Sequence, residues 1–295
     1  MGALALAATS AAGTSECARV GGNEHQFHEP LAARNAVLAA MFAPVVGEVA
    51  ASAFEGSAGF FNAFVGAARA PTHHFLEGDS ASIEEVTGTL GQDYRILDVT
   101  FKPYPVPGFN NPIVELLKRI QRDHSIDPQD VDRVEVELNW LETTYPSPEF
   151  PRRELQQRRV GTTPYVVAQT LCDGDYARYG QWFEHGLGKG QAGERSVSDF
   201  VLTLMDKVNI SSSRDRPHFA PRITISRTSG ERIVDEFNGD EFKWDFDETA
   251  RRAYDLAAQA GVTAEQVEGL VEAVRTLELA SSLDAFTLAV SAGPW

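Results

Sequence analysis

Ile96-Leu97-Asp98-Val99-Thr100-Phe101-Lys102-Pro103-Tyr104-Pro105 is the stretch on which the reading of this chain turns. Its apolar and β-branched residues predict a strand over 96–102. Pro103 and Pro105 each fix φ and remove a donor, so that strand must stop in a stiff turn. Lys102, just before a proline, is held extended at its end. Downstream, Asn110-Asn111-Pro112 reads as a helix start, with an amide cap and a proline in the first turn. Ile113, Leu116, Leu117 and Ile120 then recur at i, i+3, i+4 and i+7, which predicts a helix over 111–123 with one buried face. A cation at a strand end beside a helix N-terminus is a setting that favours a bound anion.

Working outward, Asp127-Pro128-Gln129-Asp130 is a turn, and residues 131–138 alternate with a period of two, a half-buried strand. Residues 142–160, rich in Pro, Arg and Glu, read as a long loop, of a kind that tends to be functional or mobile. A helix follows over 163–172, then one over 199–206 capped by Ser196 or Ser198. A hairpin joins 223–227 to 231–234 through Thr228-Ser229-Gly230. Both ends of the chain are helical instead. Residues 2–12 and 31–42 are rich in Ala and Leu, strong helix formers whose small members let helices approach closely. Phe54 to Phe64 reads as a Gly-broken turn and short helix with its rings inward. Near the C-terminus, Thr263 with Gln266 three residues on has the form of a capping box. Val267, Leu270, Val271 and Val274 are that helix's expected buried face. The fold class is α+β: a discontinuous helical domain (1–92 and 241–295) interrupted by a smaller α+β domain (93–240).

The chain has 295 residues, enough for a sizeable core, and a net charge of −16. That charge argues against nucleic acid or an anionic membrane as partner, and any anion site must be locally basic. Two cysteines, Cys17 and Cys172, make neither a disulfide framework nor a zinc pattern. The small apolar residues at the start lack the basic region of a signal peptide, and no stretch is long and apolar enough to span a bilayer. The expected compartment is reducing and cytoplasmic.

Phe101-Lys102-Pro103-Tyr104-Pro105 after a strand resembles the MmgE/PrpD family, which includes 2-methylcitrate dehydratase, cis-aconitate decarboxylase and epimerases of small dicarboxylates. Collinear segments carry the likeness further. Ala3-Leu4-Ala5-Leu6-Ala7 is similar to a core helix of that family's helical domain. His25-Gln26-Phe27-His28 with Leu31-Ala32-Ala33-Arg34 resembles its basic-residue, His, Ala-Ala-Arg segment. Phe54-Glu55-Gly56 with Gly59-Phe60-Phe61 resembles its Glu-Gly-x-x-Gly-Phe turn, and Pro164-Tyr165-Val166-Val167-Ala168 with Asp173-Gly174 its Pro-Tyr helix. The match covers the later part of a family member and lacks the opening helices. The resemblance implies a helical domain with an α+β lid and a cofactor-free lyase or isomerase acting on a di- or tricarboxylate. Members are commonly homodimers through their helical domains.

For the site, Lys102 is the first candidate, because an ammonium is a point charge suited to an oxyanion; the plain alternative is a strand-end lysine snorkelling to water. His25 and His28 are candidates for general acid or base, since imidazole titrates near neutrality. His25 stands where related decarboxylases carry a Lys, and His28 matches the family's His. Arg34 could hold a second carboxylate or a neighbouring acid. Tyr104 could hydrogen-bond the ligand or simply pack, and Tyr145 lies near a family active-site tyrosine. Tyr165 reads as a packing residue. His25-x-x-His28 lacks a third metal ligand, and Gly186-x-Gly188-x-Gly190 has no strand before it, so neither metal nor nucleotide cofactor is expected. His73, His74 and His185 have no assigned role. The leading expectation is a dehydratase-like lyase that abstracts a proton α to a carboxylate. The alternatives are an epimerase or decarboxylase of the same kind, or a non-catalytic or half-site subunit that needs a complementary helical chain.

Overall fold

The computed structural model describes residues 1–14, 24–61, 63–64, 88–94, 96, 99–144, 162–176, 198–259 and 261–291. Among these the helices are α1 (Gly2–Thr9), α2 (His28–Phe42), α3 (Asn110–His124), α4 (Trp140–Thr144), α5 (Thr163–Asp173), α6 (Asp199–Met205), α7 (Phe246–Gln259), α8 (Ala264–Arg275) and α9 (Asp284–Ser291). The strands are β1 (Val131–Asn139), β2 (Val208–Ser213), β3 (Arg222–Arg227) and β4 (Arg232–Glu236). The class is α+β, as expected. No described helix is long and apolar enough to cross a membrane. The chain divides into two units: Met1–Leu97 with Trp140–Gln156, and Asp98–Asn139 with Gln157–Trp295.

In the second unit the period-two pattern of β1 organises one mixed sheet, in the order β2-β1-β3-β4. Val134 and Val136 lie opposite Ile225 and Ile223 of antiparallel β3, and opposite Val208 and Ile210 of parallel β2. Ile225 in turn faces Ile233 of β4, so one side of the sheet is a continuous aliphatic surface. The other side is polar, with Glu135 paired to Arg133 and Arg232 at 3.3 and 3.6 Å. A sheet with one wet face is the usual outcome of such alternation. Gly230, at φ 89°, makes the β3–β4 turn with its N–H on the Arg227 carbonyl.

Helices close the aliphatic face, with α3 against β3 and β4, α5 against β2 and α3, and α6 against α5. Ile113, Leu116, Leu117 and Ile120 are all fully buried, the face that their spacing predicts. Each contributes about 1.5–3 kcal/mol of transfer free energy. Thr162 caps α5 by accepting from the Tyr165 N–H, and Gly174 ends it at φ 75°, where a Cβ would be strained. Ser198, not Ser196, is the cap of α6.

Three expectations change here. No described residue of 99–102 is in a strand, although a strand was expected over 96–102. Ile96, Val99 and Phe101 are exposed, so they have no apolar sheet to join, and Pro103 cannot donate. Beside β1 lie β3 and β2, the latter a strand the sequence reading passed over. The second change is at the tail. Helices α7 to α9 group with the sheet unit, although 241–295 was assigned to the helical domain. Aromatic contacts give the reason: Phe242 enters the core, Trp244 stacks on Phe101 at 5.4 Å, and the Arg252 guanidinium lies 4.1 Å from the centre of the Trp244 ring. The third is the buried face of α8. Its capping box forms as read, but only Val267 of the four expected residues is buried.

The first unit packs α1 on α2 through small residues. Ala5 and Ala39 are its buried hydrophobics among the described residues, while Val37, Met41 and Phe42 are 60%, 68% and 56% exposed. Phe54, Phe60, Phe61 and Phe64 form a ring cluster with successive centroids 5.0–6.1 Å apart. The turn beneath needs its glycines, because a Cβ on Gly56 would fall 2.7 Å from the Ser52 carbonyl oxygen.

Candidate functional site

Lys102 sits on the turn that leads into α3, and three buried groups hold that turn. Pro103 is buried, and the Tyr104 N–H donates to Asn111 Oδ1 at 2.9 Å. Asn111 Nδ2 donates to the Pro107 and Gly108 carbonyls at 3.2 and 3.4 Å. Neither asparagine caps the helix. Phe109 holds the N-cap position without a side-chain bond, while Asn110 Oδ1 accepts from the Thr163 hydroxyl and ties α3 to α5. The expected amide cap is therefore replaced by a tertiary brace. Backbone N–H groups of Asn110 and Asn111 are spent on the Pro107 and Gly108 carbonyls, and Pro112 has none. Few helix-end donors remain for an anion, so the positive character here rests on the Lys102 side chain. That side chain is exposed, and its ammonium has no hydrogen bond or ion pair to any described residue.

Tyr104 is wholly buried, behind the turn. Its hydroxyl donates to Glu115 and accepts from Lys118 Nζ at 3.0 Å, and Lys118 also pairs with Asp175 at 3.0 Å. Its ring meets Tyr176 edge-on at 6.4 Å, and Tyr176 meets Tyr165 the same way. Tyr165 is a packing residue, as read. The network borders a cleft of about 570 Å³ lined by Glu115, Lys118, Arg119, Gly174 and Phe237 among others. Its cations are already matched: Arg119 grips Asp235 with two bonds of 2.7 Å and donates to the Glu236 carbonyl at 2.8 Å.

Above the Lys102 turn lies the loop between β2 and β3. Gly108 marks the meeting point, since a Cβ there would be 3.3 Å from Phe219 Cε1 and 3.7 Å from Lys102 Cε. Phe219 has φ 57°, an uncommon value for an aromatic residue. Sequence reasoning did not find Phe219, and its side chain carries no signal that could have revealed the backbone angle. Gly108, after Pro107, does carry the turn signal.

The remaining candidates lie in the first unit. His28 opens α2, half-buried, with its ring about 3.6 Å from where a Cβ on Gly13 would be. Arg34 is exposed and donates to Asn35 Oδ1 at 3.3 and 3.1 Å, while Asn35 bonds the Ser10 carbonyl. His25 is on a short 3-10 turn (Glu24–Phe27), and its side chain lies outside the described residues. Tyr145, His73, His74, His185 and the Gly186–Gly190 run also lie outside them. Lys102 and Tyr104 thus belong to one unit, and His25, His28 and Arg34 to the other.

Cys172 is not poised as a nucleophile: burial, aided by Asp173, pushes its thiol up to about 11. Among the described residues no three His, Cys, Asp or Glu side chains cluster as metal ligands would. No protein-family model matches this chain, and no curated protein matches it.

Proposed function

We propose that the chain is a cofactor-independent lyase of the MmgE/PrpD type acting on a small di- or tricarboxylate. The observation that supports this reading best is the exposed Lys102 ammonium, without a partner among the described residues, on a turn that Pro103 and Asn111 stiffen. A charged donor fixed before the ligand arrives needs little reorganisation as negative charge develops. In this reading Lys102 holds a carboxylate and stabilises the charge that builds on it when the adjacent C–H proton leaves. Tyr104 braces the lysine turn from behind, its N–H on Asn111. A general base takes the proton, and the C–H electron pair becomes the new C=C bond as the β-hydroxyl departs, protonated, as water. Reprotonation instead of elimination would give epimerisation, and loss of CO2 would give decarboxylation.

The test is to incubate the purified protein with a panel of di- and tricarboxylates in D2O and follow it by NMR. Exchange of the α-hydrogen together with an olefinic product is the expected result, and Lys102→Ala should lower the rate by roughly tenfold or more. Neither exchange nor product with any member of the panel would overturn the assignment as a self-sufficient enzyme. A second reading, a half-site subunit, has its own support in the apolar residues that α2 leaves exposed. It expects activity only after a complementary helical chain is added. In either case the working form is a dimer or a complex built on the helical unit.

A further inference from the structure

We infer that Phe219 is a positioning residue for the Lys102 ammonium, its ring held as a fixed wall of the carboxylate site. This rests on the reading of Lys102 given above. The starting point is the backbone. At φ 57° the Cβ of Phe219 crowds its own peptide groups, and glycine or asparagine would occupy this conformation with less strain.

The surrounding structure over-determines the conformation. Arg216 anchors the loop with three bonds: Nε to the Ala220 carbonyl at 2.6 Å, Nη1 to the Glu236 carboxylate at 3.1 Å, and Nη2 to the Phe237 carbonyl at 3.3 Å. Asn139, at the end of β1, donates to the Arg216 carbonyl from the other side. Gly239 passes so close that a Cβ there would be 2.8 Å from the His218 carbonyl oxygen. Strained residues persist where neighbours enforce them, and they gather at binding sites.

What the enforced conformation achieves is visible at Gly108. The Phe219 ring edge and the Lys102 Cε both border the space that a side chain at 108 would fill. A flexible lysine loses rotamer freedom when its ammonium is held on a ligand. A rigid ring bordering the same Gly108 space as the stem removes part of that freedom beforehand. The ring restricts the stem, and the bare glycine leaves room for both.

The probe is propane-1,2,3-tricarboxylate, titrated by calorimetry against the full chain, with Lys102 also observed by NMR after reductive 13C-methylation. Lys102→Ala should abolish binding. Phe219→Leu should weaken it about fivefold, a modest cost for a displaced binding group, and shift the methylated Lys102 resonance in the ligand-free protein by removing the ring current. Phe219→Tyr should restore both. Gly108→Ala, which enters the same space from the opposite side, should also weaken binding, and it decides the matter if Phe219→Leu does not fold. Binding that Lys102→Ala abolishes but Phe219→Leu and Gly108→Ala leave unchanged overturns the role of Phe219 while Lys102 stands. Wild-type protein that binds no tricarboxylate overturns the Lys102 reading, and this inference with it.

Discussion

The two units use apolar residues in opposite ways. In the sheet unit, α3 concentrates its large aliphatics on one stripe, and that stripe is sealed against β3, β4 and α5. In the helical unit, α2 is apolar around its circumference, with alanines on one side and Leu31, Val37, Leu38, Met41 and Phe42 on the other, and each of those five remains exposed. A helix apolar on all sides is normally an interior helix. The sheet unit therefore closes on itself, whereas among its described residues the helical unit has the composition of an interior without the cover. The lesson concerns what hydrophobicity alone conveys: α2 is the more apolar helix on average, yet it is α3, with its apolar residues gathered on one stripe, that closes a core.

The sharpest way to break this contrast is to remove matched apolar groups. Leu117→Ala should destabilise the sheet unit by about 2–5 kcal/mol, measured by urea unfolding, because a fully buried leucine leaves a cavity. Val37→Ala should cost under about 0.5 kcal/mol in an isolated chain, as exposed substitutions do. If Val37→Ala costs as much as Leu117→Ala, the face is already covered in solution, and the contrast describes the single chain only.

Self-association tests the same face directly. We expect the sedimentation mass to rise with concentration and Met41→Glu to lower it, since large exposed apolar patches seldom persist on monomers. A monomer mass with no dye binding to apolar surface would show that the helical unit needs no cover. Helix caps give a smaller effect that sharpens the comparison within the second unit. Thr162→Ala should cost about 1 kcal/mol and lower the unfolding midpoint of the buried core. Thr263→Ala removes the α8 capping box, and its loss should appear in the helical signal more than in that midpoint.

The smallest effect is a pH dependence in α7. Hydrogen bonds from Arg251 and then Arg252 hold the Glu248 carboxyl down to about 2, from an ordinary 4.5. Because the folded value is the lower one, the contribution is present above 4.5 and is lost as pH falls towards about 2. Circular dichroism should show a small loss of helicity in that window, abolished by Glu248→Gln. An unchanged profile in the variant would mean that the pair does not support the helix.

Local pattern accounts for much of this protein. The spacing of Ile113, Leu116, Leu117 and Ile120 was enough to define the inner face of α3, and alternation was enough to define β1. The choice of Ser196 or Ser198 and the Thr263–Gln266 box marked helix starts, because a cap is made by atoms within four residues of each other. The stiff turn after Lys102 was also legible, from Pro103 and Pro105. Other features were settled only by tertiary packing. Residues 99–102 have strand-forming chemistry, yet a strand exists only where a neighbour pairs with it, and the four-stranded sheet does not include them. Asn110 and Asn111 have the chemistry of caps, yet their amides serve Thr163 and the Tyr104 turn, partners separated along the chain. The tail was assigned to the helical part from the order of elements, but Trp244 and Arg252 draw it to Phe101. The angle at Phe219 is the extreme case, imposed by Arg216, Asn139 and Gly239 from three separate segments. Contacts within a turn of helix are written in residue order, while contacts across the fold depend on which surfaces meet.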